Sequence, residues 1–226
     1  MSWAPFFGLM QPTIRYCESN LGGWVAEPAN AVSSLLISLA GFYILAKKRH
    51  TYSKYLGVIA IILGLASFSY YASYTFLGQL ADLGSMYLLA SLLIVAGLRN
   101  YKLSKNQNLA ILVFGAGIPL ALTATIRTIG SFNVGIPLFA ILLIKAVYWE
   151  LKAARKDKLN LKYFWLTFAA FAVGYLFWWL DYKKIWCDPS SFHYLNGHGV
   201  WHFFNAVALL SLDRYYSQLK TKRAGA

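Results

Sequence analysis

Residues 56–76 read LGVIAIILGLASFSYYASYTF, a run without a single Asp, Glu, Lys or Arg. About twenty consecutive apolar residues cross the hydrocarbon core of a bilayer as one helix. Working outward from this run, six more of the same kind appear. They cover Ala29–Ala46, Leu80–Leu98, Leu109–Ile126, Phe132–Trp149, Tyr163–Leu180 and Gly199–Leu212. The fourth and fifth runs in chain order carry Gly115, Gly117, Pro119 and Pro137, which membrane helices tolerate.

The composition agrees. Of 226 residues, 58% are hydrophobic and 13% charged, and the mean hydropathy is +0.49. A soluble domain of this length needs a polar surface that these residues do not supply. The expected fold is therefore an all-α integral membrane protein, a bundle of seven transmembrane helices. One domain over 1–226 is expected, with an external N-terminal segment (1–28) and a basic cytoplasmic tail (213–226).

Lys and Arg number 21 against 8 Asp and Glu. No basic face or RNA-binding motif appears, which argues against a nucleic-acid partner. The cations sit instead in short clusters between apolar runs. Lys47, Lys48, Arg49 and Lys54 follow the first run, and Arg99, Lys102 and Lys105 the third. Lys152, Arg155, Lys156, Lys158 and Lys162 follow the fifth, and Arg214, Lys220, Lys222 and Arg223 the seventh. The other side holds Arg15, Arg127, Lys183 and Lys184. Sixteen against four is a positive-inside bias, with the N-terminus outside and the C-terminus in the cytoplasm. Lys145, within the fifth run, is near enough to its inner end to snorkel. Trp3, Trp24, Trp178, Trp179 and Trp186 fall at the outer borders, as an aromatic belt does. The N-terminus has no basic n-region or small-residue cleavage site and reads as a retained external segment.

Polar groups inside a membrane are costly and mark function. Here they gather at one level, the outer one. Ser67 and Tyr71 close the second run, Asp82 opens the third, and His198 and His202 open the seventh. Glu18 and Glu27 lie on the external segment, whereas Glu150 and Asp213 at the inner side read as ordinary rim charges. The His198/His202 spacing of four puts both imidazoles on one helix face, which suits one metal ion. By itself the spacing also describes two interfacial polar residues. Asp82 on a neighbouring helix favours the metal, because metal-bound imidazoles and waters take carboxylate partners. Ser67 and Tyr71 also share a face, where hydrogen bonding between helices is the plainer role. Cys17 and Cys187 both fall outside. A disulfide between them is expected if that side is oxidising; two unrelated thiols are the alternative, and spacing does not decide, because bridging depends on Cα separation.

Three blocks in order carry a resemblance. They are Tyr16-Cys17-Glu18 with Glu27 to Ser34, Ser67 to Met86 around Gln79-Leu80-Ala81-Asp82, and His198 to Ala206. With seven runs around them, the chain resembles the alkaline ceramidases and their bacterial relatives, in a wider group of membrane hydrolases. The resemblance implies a Zn²⁺ site with two ligands at His198 and His202. It implies Asp82 on the metal-bound water and Ser67 on the water or the developing oxyanion. The family's third ligand is a His at the position of Tyr71. In this chain the third ligand is then Tyr71 as phenolate, Asp82, or His193 from the last outer loop; the alternative is a site without metal.

Some relatives bind Ca²⁺ through an acidic N-terminal segment, matched here by Glu18, Asn20 and Glu27. Arg15 stands where an acidic residue is expected, and its guanidinium argues against calcium. Glu27-Pro28 equally reads as a helix start.

The function so implied is zinc-dependent hydrolysis of the amide bond of a ceramide-like N-acyl lipid, near the outer interface. The alternative is a degenerate relative that binds lipid or a partner without hydrolysis. A retinal pigment needs a Lys in the last run, and none is there. A transporter needs polar residues near the midplane. Short loops and the Ala26-Glu27-Pro28-Ala29-Asn30-Ala31-Val32 block point to a bacterial inner membrane, with the site facing the periplasm.

Overall fold

A computed structural model of the chain describes residues 11–47, 50–129, 132–187 and 196–224. Trp3, Lys48, Arg49 and His193 lie outside the described residues. The described chain is all-α apart from one short ladder. The helices are α1 (Pro28–Ala46), α2 (Thr51–Ser73), α3 (Phe76–Gly97), α4 (Lys105–Ile126), α5 (Gly135–Asp157), α6 (Lys162–Tyr182) and α7 (Gly197–Ala224). β1 (Thr128–Ile129) pairs antiparallel with β2 (Phe132–Asn133).

Among the described residues, α1, α2, α3, α4 and α6 are long and apolar enough to cross a membrane. On α4 the side chains of Leu109, Val113, Phe114 and Ile118 are exposed, so this apolar surface needs lipid rather than water as its solvent. Helices α5 and α7 carry more charge. Lys145, Glu150 and Lys152 interrupt the first, and Asp213 and Arg214 the second.

Three boundaries differ from the expected spans. The second helix stops at Ser73, because Tyr74 takes a left-handed conformation (φ 49°) and Phe76 already belongs to α3. The fifth begins at Gly135 rather than Phe132. Phe132 and Asn133 pair with β1, and Asn133 Oδ1 accepts the Gly135 N–H at 2.8 Å. The seventh continues to Ala224, so 213–224 is helix rather than a tail. Packing explains the extension: Tyr215 and Tyr216 are buried, against the rings of Phe164 and Tyr52.

The chain divides into two compact units, Met1–Asp82 with Lys162–Ala226, and Leu83–Leu161. In the first, α1 crosses α2 at closest approach. A Cβ on Gly41 would lie 2.7 Å from the Gly57 carbonyl oxygen, so only glycine allows this contact. Helix α7 packs on α6 and α1. The N-terminal segment is tied to α2 and the start of α3. Tyr70 Oη donates to the Ile14 carbonyl at 2.9 Å, and the Thr13 N–H donates to Gln79 Oε1 at 2.8 Å. The Glu27 N–H donates to the Tyr71 carbonyl at 3.0 Å.

In the second unit, Pro119 sits inside an unbroken α4, and Thr123 Oγ1 bonds its carbonyl at 2.8 Å. Glu150 is not a rim charge. It is buried and paired with Arg99 at 2.8 Å, and Arg99 also reaches Asp157 at 2.7 Å. Asp213, in the first unit, is likewise buried rather than at a rim. A carboxylate out of water needs such partners.

Candidate functional site

The ends of α2 and α7, the start of α3 and the N-terminal segment bring the polar residues of the first unit together. Helix periodicity puts Ser67 and Tyr71 on one face of α2, one turn apart, and His198 and His202 on one face of α7. Ser67 Oγ donates to Asp82 Oδ1 across the α2–α3 junction. Tyr71 Oη lies 2.5 Å from His198 Nε2. The rings of Tyr71, His198 and His202 meet pairwise, with centroids 4.6 Å apart for the two histidines and 5.1 and 5.4 Å from tyrosine to each. All five residues are buried; Tyr71, His198 and His202 keep 1–2% of their surface.

Five supporting residues were not singled out in the sequence. Ser33 Oγ lies 2.8 Å from His202 Nδ1. The Tyr16 ring is 3.8 Å from the His198 ring, and Tyr16 Oη accepts from Trp178 Nε1 at 3.2 Å. Asp181 receives the Cys17 N–H at 2.8 Å and the His198 N–H at 3.1 Å, one on each oxygen. It thereby joins the N-terminal segment to the first turn of α7. Asn196 Nδ2 reaches Asn30 Oδ1 at 3.0 Å. Tyr16, Asn30 and Ser33 stand inside the first quoted block, so their signal was present. Asp181 is a lone carboxylate beside tryptophans and gave none.

The acidic N-terminal residues hold a helix. Glu18 accepts the Ala29 and Asn30 N–H groups, each at 2.8 Å, which satisfies open donors in the first turn of α1. Glu27 accepts Asn30 Nδ2 at 2.8 Å. Asn20 closes a local turn onto the Gly22 N–H at 2.8 Å. Burial raises the Glu27 carboxyl to about 8, against the Asn30 hydrogen bond, with the Glu18 and Asp181 charges adding to the rise. Burial likewise raises the Tyr16 phenol, keeping it neutral. Cys17 and Cys187 form a disulfide with a Cα separation of 5.4 Å, linking the N-terminal segment to the stretch after α6.

Among the described residues no group of three His, Cys, Asp or Glu is placed to hold a metal. The donor set is two imidazoles and one phenol. Ser33 Oγ donates to the Asn30 carbonyl at 3.1 Å and meets His202 Nδ1, which orients the ring; with the proton on Nδ1, Nε2 keeps its lone pair. His198 Nδ1 is buried without a hydrogen-bond partner, a cost that a bound group could relieve. Imidazole is a donor that zinc takes, and the Tyr71 phenol stands beside both rings.

A search of curated proteins returns no match. The model of one protein family, described as Ceramidase, matches residues 8–225, nearly the whole chain and all of the residues just placed. The chain belongs to the ceramidase family.

Proposed function

We propose that this protein hydrolyses the amide bond of a ceramide-like N-acyl lipid, with zinc held by His198 and His202. The observation that carries the reading is the convergence of two imidazoles and Tyr71 one helical turn from the Ser67–Asp82 pair. Membership of the ceramidase family points to hydrolysis of a ceramide-like lipid. Bound zinc would polarise the amide carbonyl and bring the pKa of water to about 7.

The residues of the chain do the rest. Asp82 takes a proton from the attacking water and returns it to the leaving amine. Ser67 has its own proton on Asp82 Oδ1, so it orients the carboxylate. In this role it fixes the base rather than the oxyanion. Asp181 fixes the first turn of α7, and with it His198. The chain crosses the membrane seven times with the N-terminus outside. The site lies near the outer interface of a bacterial inner membrane, the level at which a lipid amide sits.

A second reading, lipid binding without hydrolysis, has one observation in its favour. Two donors of one tetrahedral zinc lie about 3.3 Å apart, from bond lengths near 2.0 Å. Tyr71 Oη and His198 Nε2 are closer than that, at 2.5 Å.

One experiment separates the readings: elemental analysis of the detergent-purified protein, paired with turnover of a fluorescent N-acyl sphingoid lipid. About one zinc per chain, lost in the His198→Ala/His202→Ala variant, with turnover lost in Asp82→Asn, supports the hydrolase. Lipid binding with no metal after zinc incubation and no turnover leaves the second reading.

A further inference from the structure

Midway along α7 a groove of about 290 Å³ is lined by Tyr43, Tyr163, Val207, Leu210, Ser211 and Arg214. Its floor is one face of α7, since 207, 210, 211 and 214 follow the i, i+3, i+4, i+7 spacing. Tyr43 near the end of α1 and Tyr163 at the start of α6 form the walls. Arg214 is exposed and has no ion-pair partner among the described residues. Lys47 stands over the Tyr43 ring, 4.9 Å from its centroid, and adds a second cation over that wall. Arg214 lies twelve residues beyond His202, about 18 Å along the helix, so the groove is separate from the imidazole site.

The parts are graded along the groove. Val207 and Leu210 offer an apolar floor, Ser211 and the two phenols offer hydroxyls, Arg214 closes the basic end, and Lys47 stands over the Tyr43 wall. An acyl chain matches the floor. A phosphate matches the guanidinium, whose planar fork takes two oxygens at once, and the ammonium over the Tyr43 wall. A zwitterionic headgroup would bring its own cation against Arg214 and Lys47. We infer that this groove binds an anionic phospholipid of the leaflet facing the basic ends of the helices, phosphate on Arg214 and Lys47 and one acyl chain along Val207–Leu210. The inference rests on the membrane placement of the chain and is independent of the hydrolase reading.

The test is native mass spectrometry of the delipidated full chain, titrated with dioleoyl phosphatidylglycerol or with dioleoyl phosphatidylcholine. Wild type is expected to bind the glycerol lipid more tightly. One cation near a membrane surface contributes about 1 kcal/mol, so Arg214→Gln should weaken that lipid about fivefold. Arg214→Gln/Lys47→Gln should weaken it about 25-fold, by the same reckoning. Phosphatidylcholine binding should stay unchanged, and Arg214→Lys should recover most of the preference. Leu210→Trp, which fills the floor, should reduce binding of both lipids. Equal affinity for the two lipids overturns the inference, and so does a double variant that keeps the preference. Displacement of the lipid by millimolar inorganic phosphate would assign the basic end to a free anion and overturn it as well.

Discussion

Tyr71 Oη and His198 Nε2 are hydrogen-bonded at 2.5 Å, at the position where the ceramidase pattern resembled by this chain has a third imidazole. A phenol must lose its proton to bind a metal, whereas a neutral imidazole binds with its lone pair. Tyr71→His should therefore raise zinc affinity, by at least about tenfold on the scale of ligand-sphere substitutions. Tyr71→Phe removes the donor and should lower it. Competition with a chromophoric chelator measures both. Equal affinity in all three proteins would show that Tyr71 takes no part in holding the metal.

Ser33 would act on a bound metal through His202. Its hydroxyl fixes the ring by Nδ1, at 2.8 Å. Ser33→Ala leaves the ligand in place and frees its orientation, so metal affinity should drop about 10- to 100-fold. The melting temperature should move little, because a lost hydrogen bond of this kind is worth about 1 kcal/mol. Ser33→Thr keeps the hydroxyl and should restore most of the affinity. A Ser33→Ala variant with wild-type affinity would reduce Ser33 to a packing residue.

Glu27 makes stability depend on pH. Its carboxyl is raised from 4.5 to about 8 by burial, by Glu18 and by Asp181. The folded chain thus holds the proton more tightly than the unfolded one. The contribution is whole below about 4.5 and is lost as pH rises through about 8. Thermal unfolding in detergent should show the melting temperature falling across that window. Glu27→Gln, neutral throughout, should flatten the fall. A Glu27→Gln profile that overlays wild type would place the pH dependence elsewhere.

The Cys17–Cys187 bridge closes a loop with a sequence separation of 170. Loss of a native disulfide costs about 2–5 kcal/mol, and long loops lie toward the upper end. Cys17→Ser/Cys187→Ser should lower the melting temperature by several degrees. It should also loosen His198, because Cys17 and His198 hang on the same Asp181 carboxylate. Metal affinity should then fall with stability. A variant that loses stability and keeps its metal affinity would separate the bridge from the site.

The sequence alone determined the all-α character, because long apolar runs leave the helix as the way to satisfy backbone groups within one segment in a lipid core. It also placed Ser67/Tyr71 and His198/His202 on shared helix faces, since a period of 3.6 residues fixes which side chains align. Local order ends where neighbours take over. The continuation of α7 through Tyr215 and Tyr216 depends on Phe164 and Tyr52, and the burial of Glu150 depends on Arg99. Glu18 looked like an acidic ligand, but two N–H groups eleven and twelve residues on make it a helix cap. Only the tertiary structure joined Ser33 to His202, Tyr71 to His198 and Asp181 to both Cys17 and the α7 start. These pairs lie up to 169 residues apart. Hydrogen bonds reach about 3 Å, and no sequence period encodes which distant donors the packing of helices will bring within that range.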